Sequence, residues 1–261
     1  MKFVTSDQVA LDYTDQGTGP VVLILTGFGG QKVIWNRQLP IFLKRGMRVL
    51  NLDLRNQGAS QHTSHGLRMS RLGMDIAEFM AAQQVTHFGI MGNSMGAAAA
   101  NAYLSLFGQQ RVDWLIDVDQ PAKMVNDATW QYGFKGLTWA NFPSRFDQPL
   151  GPSTYRHIDD DTFALVQAAE KAHPFDAKLD QPLLVDHAFQ DWRDVLHQFT
   201  HPYLMIAGQE SPYYPSVFAA LTAAKMARAQ AVVIPAAGHV VMAEQSRHFN
   251  QVLQQFLNGL A

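Results

Sequence analysis

Short, nearly continuous apolar runs recur along the chain at 21–25, 47–52, 87–91, 114–118, 203–207 and 231–234. Runs of this length, rich in aliphatic and β-branched residues and bounded by turn residues, predict buried strands. Between them, apolar positions recur at helical spacing over 67–84, 95–107, 217–227 and 244–257. Such alternation predicts an α/β fold, a mostly parallel sheet covered by helices on both faces. The opening differs. Segments 2–5 and 9–13, joined by Ser6, Asp7 and Gln8, predict an antiparallel hairpin at the sheet edge.

The alternation breaks once, over 120–186. This stretch has no convincing strand, is rich in aromatics and is punctuated by Pro143, Pro149, Pro152, Pro174 and Pro182. A structureless loop of that length is implausible inside a compact domain. The expected organisation is therefore a core of 1–119 and 187–261 with a small helical cap insertion at 120–186. An aromatic-rich insertion over a sheet favours an apolar-lined cavity between the two. Trp35, Trp130 and Trp139, with Phe28, are its candidate walls.

Composition narrows the partners. The chain has 261 residues, Lys+Arg 20 against Asp+Glu 22, and a formal charge of −2. No basic surplus marks a nucleic-acid surface. Cysteine is absent, which removes disulfides, a thiol nucleophile and Cys-ligated metals, and fits a reducing cytoplasm. The first residues carry no apolar segment of the signal-peptide kind. The apolar runs are far shorter than the roughly 20 residues of a membrane span. The expectation is a cytoplasmic protein acting on a small molecule, with neither membrane nor nucleic-acid partner.

The sharpest chemical signal is Gly92-Asn93-Ser94-Met95-Gly96, placed between an apolar run and an Ala-rich helical segment. Gly-x-Ser-x-Gly in a strand–turn–helix setting presents a serine on a sharp, strained turn, with glycines where strand and helix close on each other. Ser94 is the expected nucleophile. A Gly-rich stretch, Thr26-Gly27-Phe28-Gly29-Gly30, follows the first long apolar run. The N–H groups of Phe28 and Met95 are the expected oxyanion donors.

These motifs, together with Asp53-Leu54-Arg55-Asn56-Gln57-Gly58-Ala59-Ser60 and a late Gly238-His239, fall in the order of the α/β-hydrolase fold, which the chain resembles over essentially its whole length. The resemblance implies an eight-stranded sheet with a cap, and it implies a structural role for Asp53 and Arg55. His239 stands where the family keeps its catalytic base; the other histidines read as surface, insertion or helix-face residues. The acid departs from the common pattern. Ser211 occupies the usual Asp position in Gly208-Gln209-Glu210-Ser211-Pro212. Asp119, after the strand that follows the nucleophile elbow, is the favoured acid, as in pancreatic-type lipases and the quinolone dioxygenases; Glu210 is the alternative.

The leading expectation is a carboxylesterase-like serine hydrolase acting on a small, largely apolar acyl ester, with no cofactor and no metal. The resemblance also leaves open a cofactor-free oxygenase of the quinolone-dioxygenase type, or a slow-turnover ligand receptor on the same fold.

Overall fold

The computed structural model describes residues 1–260. Eight strands form one sheet: β1 (Lys2–Val4), β2 (Ala10–Gln16), β3 (Val21–Leu25), β4 (Arg48–Leu52), β5 (Phe88–Asn93), β6 (Val112–Val118), β7 (Tyr203–Gly208) and β8 (Ala229–Ile234). Their spatial order is β1-β2-β4-β3-β5-β6-β7-β8. The first hairpin and the β2–β4 pairing are antiparallel, and every later pairing is parallel. Nine α-helices lie among the described residues: α1 (Leu39–Lys44), α2 (Met69–Ala82), α3 (Met95–Phe107), α4 (Asp160–Ala172), α5 (Ala177–Phe189), α6 (Arg193–Gln198), α7 (Phe218–Ala223), α8 (Val241–Glu244) and α9 (Ser246–Asn258).

Side-chain alternation along the strands divides the core into two layers. On β3, Leu23 and Leu25 join α2 and α3 through Leu72, Ile76, Phe79 and Ala98. Val22 and Ile24 face the other way, onto Phe42 of α1 and Phe249, Leu253 and Phe256 of α9. Strands β3 to β7 are buried over most of their length because helices cover both faces, which is why their sequences show little polar alternation; β8, at the sheet edge, is only partly buried, against the expectation for its apolar run.

Two expectations about the cap need correction. Its first forty residues, 120–159, are irregular, carrying only one 3-10 turn (Ser144–Asp147) and isolated bridges. Side-chain bonds replace a ladder there: Asn126 Nδ2 donates to the carbonyls of Phe134 and Leu137, and its Oδ1 accepts the Gly133 N–H. The boundary at 186/187 also falls inside α5, because Pro182 lies within that helix rather than ending it. Nor does the cap enclose a separate core: Trp130, Phe134, Leu137, Leu183 and Leu184 pack into the same cluster as α2 and α3.

Candidate active site

At the C-terminal end of β5 the chain turns directly into α3. Ser94, between them, has φ 55° and ψ −126°, a conformation that costs an L-residue on the order of 1–3 kcal/mol. The flanking glycines permit it. A Cβ on Gly92 would sit 2.5 Å from the Ala97 nitrogen, and one on Gly96 would sit 2.7 Å from the Leu25 oxygen. Strand and helix thus close to backbone contact around the serine. The Ser94 N–H donates to Val118 O at 2.9 Å, tying the turn to the neighbouring strand end.

Gly27 brings the Gly-rich loop alongside. A Cβ there would fall 2.9 Å from Ser94 Cβ, so the peptide joining Gly27 to Phe28 lies against the serine. Neither the Phe28 N–H nor the Met95 N–H donates to an acceptor among the described residues. Met95 opens α3, so its N–H has no intrahelical partner and carries the positive end of the helix dipole.

His239 Nδ1 lies 2.7 Å from Asp119 Oδ2, with both side chains buried. That contact commits Nδ1 to the carboxylate and leaves Nε2 as the basic nitrogen. Asp119 directly follows β6, beside the elbow strand, at φ 55°. Its Oδ1 accepts the Gly208 N–H at 3.0 Å, and its Oδ2 also accepts the Ser211 hydroxyl at 2.7 Å. Two residues earlier, Asp117 is fully buried and accepts from Tyr203 and from the Gln120 N–H. Desolvation, reinforced by the neighbouring Asp119 charge, pushes its carboxyl well above the usual range. Glu210 is exposed and its side chain makes no bond to His239.

The His239 loop is held by Glu244, whose carboxylate accepts the N–H groups of Gly238 and Val240 and, from the cap, those of Tyr155 and Arg156. Asn93 donates to both Val118 O and His239 O, joining the elbow to the histidine loop. The rings of Tyr213 and Tyr214 pack on the imidazole with centroids at 4.7 and 5.7 Å. Burial pushes the Tyr213 hydroxyl up to about 12, so it stays protonated.

Ser94 and His239 line one cavity of about 180 Å³, together with Phe28, Ile34, Val166 and Met242. Its lining is mixed: these apolar side chains share it with Thr26, Gln31, Asn93 and Ser153, and the exposed Glu170 stands at its rim. The three tryptophans expected as walls are elsewhere. Trp35 is fully buried against Phe249 in the core layer of α1 and α9, so that its neighbour Ile34, and not the indole, reaches the cavity. Trp130 is held by its Nε1–H bond to Lys123 O within the cluster that the cap shares with α2 and α3. Trp139 is 48% exposed and packs on Phe142 and Phe189 at the cap surface.

Asn93, Tyr213, Tyr214 and Glu244 support the site through contacts between distant loops that residue type alone does not reveal, and Ser211, expected only as the residue in the usual Asp position, bonds Asp119. His187 is a further addition. Expected on a helix face, it is buried, and both ring nitrogens lack a partner among the described residues. Desolvation, with the His239 charge nearby, lowers its pKa to about 3.

Residues 21–251 match the model of the alpha/beta hydrolase family. The chain belongs to that family. Among characterised relatives, this hydrolase is 26% identical to the sn-1-specific diacylglycerol lipase ABHD11 of Xenopus laevis, over 95% of this chain and 82% of that one. It is 24% identical to esterase YbfF of Escherichia coli, over 80% and 82%. A putative non-heme chloroperoxidase of Synechocystis is 29% identical over 43% of this chain and 42% of its own length. Among solved structures, an esterase from Exiguobacterium antarcticum superposes with a TM-score of 0.83 at 20% identity, covering 98% of both chains. A bromoperoxidase from Bacillus anthracis gives 0.84 at 20% identity, covering 99% and 100%. Those structures share the hydrolase's fold. No helix among the described residues is long and apolar enough to cross a membrane.

Proposed function

We propose that the protein is a serine hydrolase that cleaves a small, largely apolar acyl ester through an acyl-enzyme on Ser94. The observation that carries this reading is the 2.7 Å contact between His239 Nδ1 and Asp119 Oδ2, in a buried site whose cavity also exposes Ser94.

A serine hydroxyl becomes a useful nucleophile only when a base accepts its proton. With Nδ1 bound to Asp119, His239 takes the Ser94 proton at Nε2 as Oγ attacks the ester carbonyl. Asp119 holds the ring's tautomer and stabilises the imidazolium that forms. Negative charge then develops on the carbonyl oxygen between the Phe28 and Met95 N–H groups. Donors already aimed at that position need no reorganisation during the reaction. The imidazolium protonates the leaving alkoxide, and the acyl group remains on Ser94. Water, deprotonated by His239, releases the acid and restores the serine.

The size of the cavity, with Phe28, Ile34, Val166 and Met242 on its wall, favours a compact acyl group over a polymer. The esterase and lipase relatives support the same reaction class.

Intact-mass analysis after exposure to a small fluorophosphonate tests the reading. One adduct on the wild type, absent from Ser94→Ala and His239→Ala, is expected. An unlabelled wild-type protein that is folded by circular dichroism would remove acyl-enzyme chemistry. Oxygen uptake with a quinolone substrate would then be the reaction to assay.

A further inference from the structure

Phe28 and Gly29 form the centre of a turn closed by the Gly30 N–H to Gly27 O bond at 3.0 Å. Gly29 has φ +71°, the left-handed value such a turn requires at its third residue. The turn is gripped by the loop after β4 and, through it, by the cap. The Gly29 N–H donates to Gln57 Oε1 at 2.6 Å. Because that amide oxygen is committed, the Gln57 nitrogen must serve as the donor, and Gln57 is fully buried. Its Nε2 donates to Asp180 Oδ2 at 2.6 Å and to Arg55 O at 3.2 Å. The second Asp180 oxygen accepts Asn56 Nδ2 at 2.8 Å. Asp180 is itself buried, on α5 of the cap.

Two more contacts from the same cap segment reach the turn. The Phe175 ring meets Phe28 edge-on at 4.9 Å and lies 3.3 Å from where a Gly29 Cβ would stand. The carbonyl of His173 accepts Gln31 Nε2 at 3.3 Å.

We infer that Asp180 and Gln57 are positioning residues: a carboxylate on the cap, acting through one amide, fixes the turn that presents the Phe28 N–H beside Ser94. This rests on the acyl-transfer reading above and adds to it the element that sets the oxyanion geometry. The chemistry is directional. A carboxylate accepts only, so each of its oxygens takes one amide N–H, and charge-assisted bonds of this kind are among the stronger ones. Oxyanion donors lose most of their effect when displaced by about 1 Å. Nothing else among the described residues accepts the Gly29 N–H. Removing the brace therefore frees the turn without touching Ser94, His239 or Asp119.

The test uses the full chain carrying Asp180→Asn, which sets an amide N–H against an N–H donor, and Gln57→Met, which leaves the Asp180–Asn56 bond in place. Hydrogen exchange of segment 26–31 is measured by mass spectrometry, with p-nitrophenyl acetate kinetics and the affinity of a simple boronic acid. We expect exchange of that segment to quicken at least tenfold in both variants. We also expect kcat to fall about tenfold or more, KM to change less than about threefold, and boronate affinity to fall in step with kcat. Gln57→Met serves should Asp180→Asn fail to fold. Unchanged exchange in a folded variant overturns the brace, as does an unchanged kcat beside an active wild type. A wild type that hydrolyses no ester, with exchange altered as expected, instead overturns the acyl-transfer reading and leaves the brace standing.

Discussion

The hydroxyl of Ser211 donates to Asp119 Oδ2, the same oxygen that meets His239 Nδ1. On the proposed mechanism, the residue standing at the family's usual acid position therefore bonds an acid that lies one strand over. Exchanging the two should be tolerated in part. Asp119→Asn combined with Ser211→Asp should hydrolyse p-nitrophenyl acetate at least about tenfold faster than Asp119→Asn alone. A double variant no faster than the single one would show that a carboxylate at 211 does not reach the imidazole.

Asp119→Asn leaves the shape of the site while removing the charge that stabilises the imidazolium. Its kcat should drop by at least about a hundredfold. Glu210→Gln, at an exposed position, should stay within about twofold of wild type. The reverse ranking, measured with both proteins at matched melting temperature, would transfer the role of the acid.

Phe28 lines two cavities at once. One holds Ser94; the other, about 320 Å³, is walled by Phe146, Pro149, Leu150 and Leu184. On the proposed mechanism its ring is therefore expected to limit acyl length. For Phe28→Ala, the ratio of kcat/KM for p-nitrophenyl octanoate over acetate should rise at least about tenfold, the scale expected of one pocket contact. Leu184→Trp on that background should reverse the gain by refilling the second cavity. An unchanged ratio would place the acyl chain elsewhere.

His187 makes stability depend on acid. Its folded pKa, about 3, lies below the ordinary 6.5, so the unfolded chain takes up the proton first. The folded state is fully favoured above about pH 6.5 and loses that advantage as pH falls toward 3, by roughly 3 kcal/mol at about pH 4.5. His187→Met should therefore lose less melting temperature between about pH 7 and pH 4.5 than wild type does. Equal losses in both proteins would show that the ring is not the acid-sensitive group.

How far these features can be read in advance depends on the range of the interaction that makes them. The elbow is local: Gly92, Ser94 and Gly96 have one geometric reason to sit two residues apart, and the pattern shows it. Helix α3 spans Met95–Phe107 as its periodicity predicts. Strand β6 instead begins two residues before the apolar run, at Val112, because its pairing with β5 continues past it. Asp119 was legible because it follows a strand directly. Trp35, Trp130 and Trp139 were not, since aromaticity says nothing about which face of a sheet or cap a ring joins. Asp180 and His187 share one helix face, yet their roles depend on partners more than a hundred residues away, or on having none.

Ser94 and Asp119 both hold a backbone conformation with φ 55°, at the ends of adjacent parallel strands. A glycine would take up either position with less strain. Selection for heat resistance alone would therefore reward erasing the Ser94 side chain, whereas the buried bonds that the Asp119 carboxylate accepts keep it in place. Screens that enrich for stability in this molecule need a catalytic readout in every round, because the strain at Ser94 rewards its loss.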